Sequence, residues 1–388
     1  MTKRLCLCLL LFCLFTAFSL HAQASLRTSH YEIHFTAGDE SAAQSLSREL
    51  ELRFDAYNRL FRFNPESLDG PLKARIFTRR DAYDAHVTAR AGQTKDGAVY
   101  LHYNNKENRE LVICRGSREE SSALPHQAFI QFLRGFISTP PSWMRDGLAI
   151  YFSGLRYDPA SLSLAYEENL SFLESVKKLG KNAPDIKTLL EADSVPPKKI
   201  EDFQSCSWAL VSFFLSGYSA DYYRTLIECF MILSPSASAA ANGRSVLKRM
   251  EAWIDFDEFK TNYFSYLDSR RTYNELMEDG RKAYEAKDPM RAELSFLSAL
   301  DQKPSSYAPY YYLGLIYYEE KNYALADEYY RLSLQRGADE ALVCYALGIN
   351  AAQAGKNTEA IQWLEQAAAA DPGRYKNRAE ELIQRMRL

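Results

Sequence analysis

Two groups of side chains have the types and spacing for chemistry. His30, Glu32 and His34 fall on alternate positions of the stretch 29–35, which alternates like a strand, so the three share one face. Imidazoles and a carboxylate are metal-ligand types, but types alone fix no coordination geometry, and the face is read as solvated. The second group lies in 124–152. Phe129, Phe132, Leu133 and Phe136 stand at helical spacing, with Pro125 expected in the first turn and His126 beside it. Pro140 and Pro141 end a short break. A second helix is then expected to carry Trp143, Arg145, Asp146, Gly147, Ala149 and Tyr151.

This helix–break–helix resembles the core of the gluzincin metallopeptidases, in particular the peptidase-MA-like group. There the first helix carries H-E-x-x-H, and the second carries an E-G-x-A-x-Y-type segment after a Trp. The resemblance implies a zinc held by two His at i and i+4 and by a carboxylate from the second helix, with the Glu beside the first His as general base. His126 matches the first His. Gln127 stands in the place of the base, and an amide takes no proton near neutral pH. Ile130 replaces the second His and offers no lone pair. Asp146 stands in the third-ligand place with a shorter carboxylate. The face of His126, Ile130, Leu133 and Ile137 is mostly apolar. The expectation is a catalytically inactive relic with no metal or other cofactor, in which His126 and Asp146 hydrogen-bond to each other; the competing reading makes His126 an ordinary helix-start residue with no partner of note. The alternative is a zinc-dependent peptidase with rearranged ligands, drawing on His102, Asp146 or the Glu119–Glu120 pair.

These groups need a scaffold. Strands are expected over 29–35, 73–78, 98–103 and 110–114, and helices over 42–61 and 81–87, ahead of the His126 helix. The peptidase-MA-like group shows this order, and there an edge strand, here 98–103, lines the substrate cleft. Helices follow over 167–179, 186–192, 206–216, 222–233, 246–250 and 257–267, with 234–243 as a small-residue loop. The resemblance covers roughly residues 28–270.

The last third carries a repeat. Gly280, Gly314 and Gly348 stand 34 residues apart, as do Ala292, Ala326 and Ala360, and Phe296, Tyr330 and Leu364. Pro304 and Pro372 close the first and third units. The phase resembles three tetratricopeptide repeats starting near Tyr273, Tyr307 and Ala341, with 375–388 as a capping helix. Small residues let two helices cross closely, and the bulky residue is expected to fill the gap between repeats. The family's register implies a groove lined by Met277, Arg281, Tyr284, Tyr311, Leu315, Tyr318, Tyr345, Ile349 and Gln353, suited to a protein or peptide segment. The competing expectation is that some of these tyrosines pack against the capping helix.

Composition narrows the partners. The net charge of −3 with no basic block argues against nucleic acid. Lys3 and Arg4 precede the apolar run 5–20, and Ala22-Gln23-Ala24 forms a small-x-small cleavage signal, so 1–24 reads as a secretory signal peptide. The chain is then expected to be exported, and periplasmic or envelope-associated if bacterial, with no membrane span once the signal is cleaved. Anchoring through 5–20 or a lipidated Cys13 is the alternative. Cys114, Cys206, Cys229 and Cys344 remain, in no C-x-x-C spacing. Four exported cysteines allow three disulfide connectivities, while their apolar neighbours favour buried free thiols. The whole reads as a mostly helical chain. An α+β peptidase-MA-like domain (25–155) with a helical second half (156–270) precedes an all-α tetratricopeptide array (271–388). The expected function is an exported protein–protein interaction scaffold.

Overall fold

The computed structural model describes residues 23–192, 195 and 197–387. The expected signal peptide therefore lies outside the described residues up to position 22. Two compact units divide the chain, one up to Lys260 and one from Thr261.

In the first unit, β1 (Gln23–Arg27) and β2 (Tyr31–Thr36) form an antiparallel pair, followed by the long helix α1 (Glu40–Phe61). Then come β3 (Leu72–Phe77), α2 (Arg80–Ala91), β4 (Ala98–Leu101) and β5 (Glu110–Cys114). The strands form one sheet in the order β1-β2-β3-β5-β4. The two middle pairings are parallel, and β4 runs antiparallel at an edge. The inner strand β5 is buried along its whole length, as expected for a strand covered on both faces. β1 was not among the expected strands; its first two residues precede the expected cleavage point after Ala24.

Helix α3 (Glu120–Phe136) begins a turn earlier than the sequence suggests, so Pro125 sits inside the helix and not in its first turn. A tertiary ion cluster holds the extra turn. Arg115 Nη1 donates to Glu120 Oε1 at 2.5 Å and to Glu49 Oε2 at 3.2 Å, and the Gly116 N–H donates to Glu120 Oε2 at 2.6 Å. Arg53, 2% exposed, closes the cluster through Glu49 Oε1 at 2.8 Å. Pro141 precedes α4 (Ser142–Phe152), and the hairpin β6 (Leu155–Asp158)–β7 (Ser163–Tyr166) follows, unforeseen in the sequence. The aromatic rings on α3 have structural work. Phe129 stacks on Phe152 at 4.7 Å, and Phe132 meets Phe54 edge-on at 5.1 Å, so α1, α3 and α4 share one core.

The helices α5 (Leu170–Leu179), α6 (Ile186–Glu191), α7 (Ile200–Leu215), α8 (Ala220–Met231), α9 (Ala239–Trp253) and α10 (Phe256–Ser269) complete the unit and its boundary. Gly147 lets α4 lie against α7, since a Cβ there would stand 2.4 Å from the Ser207 carbonyl oxygen. The expected loop 234–243 overran the start of α9. Asn242, 1% exposed, is fixed inside that helix by donating from Nδ2 to the Thr139 and Ser234 carbonyls at 2.8 and 3.0 Å. Cys114, Cys206, Cys229 and Cys344 are buried free thiols.

The second unit stacks helix pairs: α11 (Tyr273–Glu285) with α12 (Pro289–Gln302), α13 (Tyr307–Glu319) with α14 (Tyr323–Gln335), and α15 (Glu340–Gln353) with α16 (Asn357–Ala370). Helix α17 (Pro372–Arg387) closes the stack. Thr272 and Glu275 form a reciprocal capping box at the head of α11. The repeated spacing has a steric cause. A Cβ on Gly280 would lie 2.6 Å from the Phe296 ring, one on Gly314 2.5 Å from Tyr330, and one on Gly348 2.7 Å from Leu364. Each bulky residue therefore fills the crossing within its own helix pair, not the gap between repeats as the sequence suggested. The turns share the period too: Lys287, Lys321 and Gly355 all take left-handed backbone angles, φ 61°, 61° and 76°.

Candidate functional site

In the first unit, α3 and α4 carry the motif positions, and two of them, Gln127 and Asp146, are engaged in side-chain hydrogen bonds. Asp146 is gripped by its neighbour Arg145, with Nε donating to Oδ1 at 2.5 Å and Nη2 to Oδ2 at 3.0 Å. Among the described residues no hydrogen bond joins Asp146 to His126, so the expected pairing is not formed. Burial pushes the His126 imidazole down from its ordinary value; the Asp146 carboxylate pulls it up, and the Arg145 charge adds a smaller downward push. It is therefore neutral near pH 7.

Gln127 has a definite role that the sequence did not reveal. The hydrogen-bonded pair of Gly97 with Cys114 sets the alternation along β4, so the Tyr100 N–H points away from β5, toward the free edge. Gln127 Oε1 accepts from that N–H at 2.9 Å. An unpaired edge donor is a template for adding a further strand, and Gln127 caps it. Ile130 is partly buried and has no donor atom. Zinc does not fit this set. One neutral imidazole remains, beside an amide already in use and a carboxylate already chelated. Among the described residues no group of three or more His, Cys, Asp or Glu side chains could hold a metal ion.

The alternative ligands do not converge either. Glu120 belongs to the ion cluster with Arg115, and His102 is held to about 4 by burial and by the charges of Arg134 and Arg109. Just before β2, His30 Nδ1 meets Glu51 on α1 at 2.6 Å and its ring stacks on Phe54 at 3.7 Å, while His34 and Glu32 on β2 lie 3.9 Å apart. The strand trio is thus divided between a core contact and a solvated face.

In the second unit the groove positions separate into two kinds. Met277 is only 4% exposed and packs in the core with Phe296 and Leu313, so it cannot line a groove. Tyr345 leans on Tyr375 of α17 with ring centroids 4.8 Å apart, which is the packing role anticipated for part of the row. Tyr284 is tied to Glu319 by its hydroxyl, and exposed Arg281 lies 3.6 Å from Glu278. Tyr311, Leu315 and Tyr318 stand at i, i+4 and i+7 of α13, partly exposed, over a core of Ala326, Tyr330, Val343 and Leu347. Ile349 is partly exposed and Gln353 exposed on α15. The hydroxyls of Tyr284, Tyr311 and Tyr375 are within electrostatic reach along the row, and burial raises Tyr311 above its ordinary value, reinforced by Tyr375. This strip can offer flat aromatic surface and hydroxyl hydrogen bonds; it contains no nucleophile–base pair.

No family model matches the chain, and no curated protein matches it. Among solved structures it is similar to the N-terminal domain of stress-induced protein-1 from C. elegans, at 19% identity and a TM-score of 0.27, covering 30% of this chain and 94% of that one. It is also similar to the first TPR of Spaghetti (RPAP3) bound to an HSP90 peptide, at 17% identity and a TM-score of 0.28, covering 29% of this chain and 89% of that one. A third is YrrB, described as a TPR protein with an unusual peptide-binding site, at 12% identity and a TM-score of 0.27, covering 53% of this chain and 94% of that one.

Proposed function

We propose that the protein is an interaction scaffold whose tetratricopeptide array takes a protein or peptide segment along the face of α11, α13 and α15. The observation that carries this reading is the strip Tyr311, Leu315 and Tyr318, apolar and aromatic, partly exposed on the middle repeat. Tyrosine in such a place gives large contact area at small entropic cost. The first unit, in this reading, is a peptidase-like domain without peptidase chemistry, in keeping with Gln127, Ile130 and the chelated Asp146. The apolar run 5–20 and the Ala22-Gln23-Ala24 signal support export, to the periplasm or envelope if the source is bacterial.

The test uses the full chain on an array of extended peptides, comparing wild type with Tyr311→Ala/Tyr318→Ala. Loss of two aromatic anchors is expected to weaken captured peptides by about 2 kcal/mol or more, roughly thirtyfold, with an unchanged helical circular dichroism spectrum. Equal capture by the variant would remove the groove from consideration. Metal analysis tests the other half. The purified protein is expected to carry no stoichiometric zinc, and one tight equivalent released by His126→Ala would restore the peptidase reading.

A further inference from the structure

The first unit contains a polar cleft that neither the motif positions nor the array explains. It has a volume of about 100 Å³ and lies between the segment 68–73, the β4 edge and the C-terminal turns of α3. Lys73, Tyr100, Lys106, Arg109, Gln131 and Arg134 line it, together with two carboxylates. Those carboxylates are already neutralised. Asp69 pairs with Lys106, and Glu107 Oε2 takes Lys73 Nζ at 2.5 Å.

Arg109 and Arg134 are different. Among the described residues neither forms an ion pair. Arg109 Nε donates to the Tyr103 carbonyl at 2.6 Å and Arg134 Nη1 to the Ser138 carbonyl at 3.3 Å, so each guanidinium keeps most of its five N–H donors for other use. Two like charges sharing one cleft, both partly withdrawn from water, raise the free energy of the unit unless an anion joins them. The surroundings sharpen that need. Burial holds Arg134 below its ordinary value, and the charges of Arg145 and Arg109 push it the same way. The nearby carboxylate that could compensate, Asp146, is chelated by Arg145. One more polar group is unsettled. Gln131 is 2% exposed and donates from Nε2 to the Lys73 carbonyl at 2.8 Å, while its Oε1 has no partner. A buried acceptor of this kind calls for an O–H or N–H donor.

We propose that this cleft is a binding site for a small oxyanion ligand, its carboxylate or phosphate group lying between Arg109 and Arg134 and a neighbouring hydroxyl or amine meeting Gln131. Arginine suits the task because its planar fork matches the geometry of both anions. The volume admits one such group with a few further atoms, not an extended peptide, so the site is separate from any segment bound by the array. Tyr100 of β4 lines one side. This inference does not depend on what the array binds.

The experiment titrates the full chain by calorimetry in a zwitterionic buffer, with inorganic phosphate in one arm and glycolate in the other, at ionic strength matched by sodium chloride. Saturable one-to-one binding in either arm is expected, phosphate indicating a phosphorylated ligand and glycolate a hydroxy acid. Arg109→Gln and Arg134→Gln should each weaken it about tenfold or more, the loss expected for charge-assisted hydrogen bonds. Lys376→Gln, which removes an equal charge from the array, should leave it unchanged. If Arg134→Gln does not fold, Arg109→Gln alone decides. No saturable binding in either arm, or binding unaffected by the arginine changes, overturns the proposal.

Discussion

Gly314→Ala tests the steric account of the repeat most directly. A Cβ at this position would stand 2.5 Å from Tyr330 Cδ1 and 2.6 Å from Cε1, where carbon atoms rest comfortably at about 3.5–4.0 Å. Ring or helix must therefore retreat by about 1 Å. Tyr330 is 1% exposed and packed among Ala326, Val343 and Leu347, so the ring has no space to yield. Overpacking of this kind costs about 1–3 kcal/mol. Against it, alanine in a helix interior is favoured over glycine by about 1 kcal/mol. The net expectation is a loss of up to about 2 kcal/mol. The sign should reverse once the ring is gone: in a Tyr330→Ala background only the propensity gain survives, and Gly314→Ala should stabilise by about 1 kcal/mol. The cycle is read by urea unfolding of the full chain, followed by far-UV circular dichroism and by fluorescence of Trp363, which packs on this same core. Stabilisation of the wild type by Gly314→Ala, or an equal effect in both backgrounds, would refute the close-crossing argument.

Two further outcomes follow from the backbone and from buried charge. Lys321 holds φ 61° where the third repeat has Gly355, so Lys321→Gly should stabilise the array by about 0.5–1 kcal/mol in the same urea assay; destabilisation would show that the lysine side chain matters more than its backbone strain. Burial raises the Glu110 carboxyl, but His86 at 2.7 Å and Arg75 at 2.8 Å outweigh it and hold the group at about 2, well below the ordinary glutamate value of 4.5. A depressed folded value means that stability is fully present above about pH 4.5 and is lost as the pH falls toward about 2, a total of about 3 kcal/mol. Melting curves of wild type and Glu110→Gln from pH 6 to pH 2 should therefore converge, and a constant gap would mean that the ion cluster adds nothing.

What the sequence makes legible is local and periodic. The 34-residue phase can be read because each glycine must face a bulky partner sixteen residues on, as Gly280 faces Phe296, and both members of the pair lie in one short stretch. Helix α3 was legible for the same reason, through rings at helical spacing, and α4 through the prolines that precede it and the motif it carries. The start of α3 was not, because its extra turn is held by Arg115 and Glu49, and the latter comes from a helix 66 residues earlier than that arginine. Met277 illustrates a second limit. Register places it on the first helix of its repeat, but only packing shows that it belongs to the core with Phe296.

The motif region shows how substitution can exchange one role for another. A carboxylate in place of Gln127 would set a negative charge beside the outward Tyr100 N–H; the amide supplies a neutral acceptor there and closes the strand edge. Asp146, short and adjacent to Arg145, folds back onto its own helix instead of reaching across to α3. The same stretch that reads in sequence as missing catalytic groups thus reads in structure as one bond from β4 to α3 at Gln127 and a separate pairing within α4 at Asp146. The uncompensated charge lies elsewhere, two turns further along α3 at Arg134, where no motif would have directed attention and where only the folded chain brings Arg109 alongside.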